Sequence, residues 1–132
     1  MTRQLILAAG DIIALLLFVL AGQIDHQTVS ADMPLGGVIL AGLPFVMAWL
    51  VPAFLLGAFR EDVANPRVMF TRSLIAWFIA LPLGIVLRAL VLGREVIPVS
   101  FMLVAFGFGA LFLLGWRMVF AFLAQWRKGA RA

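Results

Sequence analysis

The chain is divided into long apolar runs by short polar breaks. A helix that crosses the hydrocarbon of a bilayer needs roughly 20 mostly apolar residues. Four runs qualify, at about 5–23, 35–59, 69–92 and 97–125. The last three exceed that length, so tilt, kinks or protruding ends are expected. Prolines mark the expected bends, at Pro44 and Pro52 in the second run and Pro82 in the third, because each removes a backbone donor. Asn65 and Pro66 suit a cap and first-turn pair for the third helix. The proline and charge positions of the two halves do not correspond, which speaks against an inverted-repeat transporter. The expected architecture is all-α, a bundle of four transmembrane helices forming one transmembrane domain over residues 1–132.

Composition moves the reading from apolar helices to a membrane protein. Hydrophobic residues make up 65% of the chain and charged residues 12%, with a mean hydropathy of +1.16, whereas soluble domains are about half apolar and a quarter charged. Charge then sets orientation. With the N-terminus cytoplasmic, the inside collects Arg3, Arg60, Arg67, Arg72, Arg117, Arg127, Lys128 and Arg131, and the outside holds Arg88 and Arg94. Eight against two predicts a multi-pass protein of the cytoplasmic membrane with both termini cytoplasmic. The net charge of +4 is explained by this asymmetry, so nucleic acid is not an expected partner. Arg3 and VLAGQ loosely fit a cleaved signal peptide, but Asp11 within the apolar stretch argues for a retained helix. The absence of cysteine excludes disulfides, thiolate metal sites and cysteine nucleophiles. Trp126 suits an anchor at the inner interface, while Trp49 is expected deeper, packed between helices.

Two polar groups stand out against this background. In GDIIALLLFVLAGQIDH, Asp11 lies about four turns from the outer end and under two turns inside the inner one, at about 1.5 Å per residue. Its face reads Gln4, Ala8, Asp11, Leu15, Phe18, Gly22, Asp25, and the fourth run offers Ser100, Leu103, Gly107, Ala110, Leu114, Arg117, Ala121, Ala124. Small residues allow close helix approach where lipid gives no hydrophobic drive. The first helix rises from the inside and the fourth returns to it, so Asp11 and Arg117 are expected at similar depth. An intramembrane charge usually faces a partner or a wet cavity, and these two are expected to pair. The alternative is that Arg117 snorkels and Asp11 bonds a hydroxyl or water. A buried carboxylate that titrates near neutrality would instead suit proton movement, although an arginine neighbour favours a fixed lock. At the outer side, Gln23, Asp25 and His26 end the first helix, and Arg88 lies at similar height on a face with Leu81 and Gly84. Arg88 is expected to hold Asp25 or an anionic headgroup or solute, and His26 suits a sensor of external pH.

No enzyme is expected. Thr2, Thr28, Ser30, Thr71, Ser73 and Ser100 make no arrangement with histidine and carboxylate that would support catalysis. One histidine with scattered carboxylates is too little for a metal, and no cofactor is expected. GFGAL in the fourth run reads as close packing.

The motif G-D-x-x-A-L-L-L-F-x-x-x-G-x-x-x-H, followed by LPFVMAWLV, LPLGIVLRAL and VSFMLVAFGFGALFLLGWR, resembles the small prokaryotic membrane proteins of domain-of-unknown-function family 3054. The likeness covers roughly residues 8–118 and rests on Asp11, Gly22, His26, Pro44, Phe45, Trp49, Arg88, Gly115, Trp116 and Arg117. The chain departs from the pattern at Gln23, where an arginine is common, and at Asp25, where a small hydroxyl residue is usual. That exchange reverses the local charge and argues against an anion site there. The resemblance implies a four-helix membrane bundle and no assigned activity. The expected function is a non-catalytic helical-bundle component, either a membrane subunit or a module that binds lipid or a small molecule. The alternative is a small oligomeric transporter or channel moving protons, ions or a small polar solute. Expected partners are membrane lipids, with further copies of the chain or other membrane proteins as the remaining classes.

Overall fold

The computed structural model describes residues 2–60, 65–93, 95 and 98–131. Those residues form four helices, α1 (Thr2–Asp25), α2 (Pro34–Leu55), α3 (Pro66–Leu92) and α4 (Val99–Gly129), and no strand. All four are long and apolar enough to cross a membrane. Their outward faces carry large apolar side chains such as Phe54, Phe78, Leu90 and Leu103 in exposed positions, as expected of surfaces solvated by acyl chains.

The helices run antiparallel around a ring in which each packs on its two neighbours in chain order and α4 closes on α1. Gly42 of α2 lies against Leu16 of α1, and Gly84 of α3 against Phe45 of α2. His26 at the end of α1 stacks near Phe101 at the start of α4, with ring centroids 5.1 Å apart. Both termini and the α2–α3 connection therefore share one end of the bundle, here the termini end. Aromatic rings fill the middle of the ring: Phe18 meets Phe45 edge-on at 5.8 Å and Trp77 at 6.0 Å, and Trp77 meets Trp49 at 6.5 Å.

The element bounds differ from those expected from hydropathy for local reasons. The third helix begins at Pro66 because Asn65 Oδ1 accepts the backbone N–H of Arg67 at 3.0 Å, the expected cap. The fourth runs on to Gly129, with Arg127 and Lys128 in its last turn, where the negative end of the helix favours cations. The second run does not stay helical to residue 59. Gly57 adopts φ +70°, and the Ala58 N–H bonds Ala53 O at 2.8 Å while the Gly57 N–H bonds Phe54 O at 3.1 Å. These two bonds make a Schellman turn, which stops the helix although the residues remain apolar. Helices α2 and α3 continue through Pro44, Pro52 and Pro82. Of the loop expected between the second and third helices, 61–64 lie outside the described residues, as does Arg94.

Candidate functional site

Asp11 and Arg117, separated by 106 positions in the chain, meet in the interior of the bundle with no solvent exposure on either side chain. The contact is bidentate: Arg117 Nε–H donates to Asp11 Oδ1 at 2.9 Å and Nη2–H to Oδ2 at 2.6 Å. Such a fork matches the planar guanidinium to the two carboxylate oxygens and is among the strongest side-chain hydrogen bonds. Three other elements complete the shell. Trp49 of α2 donates its indole N–H to Asp11 Oδ2 at 3.0 Å. From α3, Ser73 Oγ accepts from Arg117 Nη1 at 3.1 Å, and the hydroxyl in turn donates to Met69 Sδ at 3.7 Å. The turn after α2 supplies Ala58 O, which accepts from Nη1 at 2.8 Å. At least four of the guanidinium's five N–H groups are thus bonded within the protein. The Arg117 Cζ also lies 4.8 Å from the ring centroids of both Trp49 and Phe59, within cation–π range.

The Schellman turn explains how a backbone carbonyl reaches an ion pair. By reversing the chain at Gly57 it turns three successive carbonyls toward side chains of other helices. Gly57 O accepts from Arg72 Nη1 at 3.1 Å, Ala58 O from Arg117, and Phe59 O from Gln4 Nε2 at 3.0 Å. Peptide groups left over where a helix stops need partners when buried, and here α1, α3 and α4 each provide one.

Layers on both sides close the pair in. Toward the middle lie Leu15, Trp49, Trp77 and Leu113, all buried; toward the termini end lie Leu7, Met69 and Ala121, also buried. Two tryptophans lock the helices that carry the layers. A Cβ added to Gly109 would fall 2.1 Å from Trp77 Cζ2, and one added to Gly10 would fall 2.0 Å from Trp116 Cε2. In both seats the indole N–H donates to the carbonyl three residues before the glycine: Trp77 to Phe106 O at 3.0 Å, and Trp116 to Leu7 O at 3.4 Å. The packing seam of α4 is therefore Ala105, Gly109, Leu113, Arg117, Ala121. Leu103 and Gly107, expected on that seam, face outward. In α1, Leu7 and Gly10 make the close contacts expected of Ala8 and Gly22, and a Cβ at Gly22 would meet nothing within 4 Å.

Asp25 and His26 are exposed at the end of α1. Arg88 is half-buried on the face that carries the buried Leu81 and Gly84. Gln23 turns inward, donating Nε2–H to Gly37 O at 3.3 Å, with its Oε1 buried and unbonded. Among the described residues no three His, Asp or Glu side chains gather as a metal site would require.

Hydropathic helices on every side and a neutralised ion pair at the centre define a polytopic helical membrane protein of the four-span type. Within that class the chain belongs to the family described as protein of unknown function (DUF3054), whose model matches residues 8–120 and so spans both Asp11 and Arg117. No curated protein and no solved structure matches the chain.

Proposed function

We propose that this protein is a non-catalytic component of the cytoplasmic membrane, inserted with both termini cytoplasmic, in which Asp11 and Arg117 lock the first helix to the last. The observation that carries the reading is the completeness of the shell: the carboxylate and the guanidinium spend their hydrogen bonds on protein groups from all four helices and the α2–α3 turn. A carboxylate that relays protons must exchange its proton with a mobile donor, and it works best with a pKa near the working pH. Both oxygens of the Asp11 carboxylate are instead occupied by Arg117 and Trp49 inside the bundle. The reading therefore favours a membrane subunit or lipid-contacting module over a proton carrier. The excess of arginine and lysine at the termini end supports the orientation.

Proteoliposomes with an imposed pH gradient test the choice. Wild type and Asp11→Asn should give the same flux, equal to that of protein-free vesicles. Flux in the wild type above that of protein-free vesicles would establish transport and reject the reading. Reporter fusions at both ends test orientation separately, with cytoplasmic signal expected from each.

A further inference from the structure

At the termini end, α1 and the end of α2 diverge and leave an open groove of about 910 Å³, within the range of roughly 300–1,000 Å³ typical of ligand clefts. Its less exposed lining is Ala8, Leu50 and Phe59, and its walls are the exposed Leu5, Val51 and Phe54. Gln4, Gly57 and Arg60 stand at the polar mouth. The groove is apolar along its length and cationic at one end. The Arg60 stem folds back over Gly57, where a Cβ would meet its Cδ at 2.8 Å, so the turn that bares the Ala58 carbonyl also sets the guanidinium over the mouth.

We infer that this groove holds one anionic glycerophospholipid of the leaflet at the termini end, an acyl chain along Leu5, Ala8, Leu50 and Phe54 and the headgroup phosphate on Arg60. Charge complementarity selects the occupant. Besides Arg117 and Arg72, both bonded within the protein, the sequence assigns Arg3, Arg60, Arg67, Arg127, Lys128 and Arg131 to the termini end, with Glu61 and Asp62 following Arg60 in the chain. A surface of that sign at the membrane boundary recruits anionic headgroups, and arginine binds phosphate with paired donors. The site rests on the orientation proposed above, which puts this end in the cytoplasmic leaflet, and it adds a consequence for the lock. Phe59 lines the groove and also lies over the Arg117 guanidinium, so a seated acyl chain covers the ring that shields the ion pair.

The test is native mass spectrometry of the full chain in detergent with equimolar phosphatidylglycerol and phosphatidylcholine of identical acyl chains. Wild type should retain phosphatidylglycerol over phosphatidylcholine by about tenfold, because both offer a phosphate to Arg60 but only phosphatidylcholine brings a quaternary ammonium against the cationic mouth. Arg60→Gln, at an exposed side chain, should fold normally and bring the ratio close to one. Ala8→Phe should fill the groove and reduce retention of both lipids. Phosphatidylglycerol should raise the melting temperature, and inorganic phosphate at the same concentration should not. Equal retention of the two lipids by wild type, an unchanged ratio in Arg60→Gln, equal stabilisation by phosphate, or a dimer that displaces lipid would each overturn the site. None of these readouts depends on flux, so a chain that transports can still show the lipid preference, and a locked bundle can still fail to.

Discussion

Neutralising one partner of the buried pair should cost far more than neutralising both. In Asp11→Asn the side chain keeps its shape but one oxygen becomes an NH2 group. Placed at Oδ1 it confronts the Arg117 Nε–H now 2.9 Å away; placed at Oδ2 it confronts both Nη2–H and the Trp49 indole N–H. The better choice loses at least one charge-assisted bond, about 1.5–3 kcal/mol, and leaves a guanidinium buried without its counter-charge. Breaking such a pair costs about 3–5 kcal/mol. Arg117→Gln leaves the carboxylate with the Trp49 N–H and takes the donor from Ala58 O, a loss of similar size, about 3–5 kcal/mol. Independent effects would sum to roughly 6–10 kcal/mol, comparable to the whole stability of a typical domain at about 5–15 kcal/mol. The double variant contains no buried charge and should lose less than either single, giving a coupling of about 3 kcal/mol or more. Unfolding by sodium dodecyl sulfate titration in mixed micelles, followed by circular dichroism, measures all four corners. Strict additivity would refute the energetic account even though the geometry places the groups in contact.

The remaining predictions separate the parts of the shell. Trp49→Phe keeps a ring beside Arg117 but removes the 3.0 Å bond to Asp11, and should cost about 1.5–3 kcal/mol in the same titration. Gly109→Ala and Gly10→Ala should each cost about 1–3 kcal/mol by overpacking against an indole, with the altered Trp environment visible in the fluorescence spectrum. Gly107→Ala and Gly115→Ala, where a Cβ meets nothing within 4 Å, should be neutral or stabilise by up to about 1 kcal/mol through helix propensity. Gly57→Ala places a side chain at φ +70° against Arg60 and should cost about 1–2 kcal/mol, and a melting temperature equal to wild type would show that the turn does not need its left-handed residue.

Much of the bundle was legible in the sequence because the bilayer imposes a length on every apolar run. Depth along two antiparallel spans was enough to bring Asp11 opposite Arg117. The rest of the shell was hidden by how residues are classed. Trp49 reads as an apolar ring, and its single N–H becomes important only once a buried acceptor is in place. Ala58 joins the shell through its carbonyl and not its side chain, because Gly57 reverses the chain, and that glycine was the available signal inside a run that hydropathy alone extends to residue 59. The seam of α4 was displaced for a geometric reason. Gly107 and Gly109 are two positions apart and so point roughly 200° from each other around a helix of 3.6 residues per turn, and which one meets Trp77 depends on rotation that composition does not fix.

The separation of 106 positions between the two charges also governs how the protein is made. Asp11 leaves the ribosome in the first span and Arg117 in the last, so throughout synthesis the carboxylate waits without its counter-charge. A chain broken off ahead of residue 117 keeps an acid without its counter-charge in the first span, which costs about 2.5–3.5 kcal/mol at the centre of a bilayer. The first span therefore reaches its final electrostatic state only when the last one arrives.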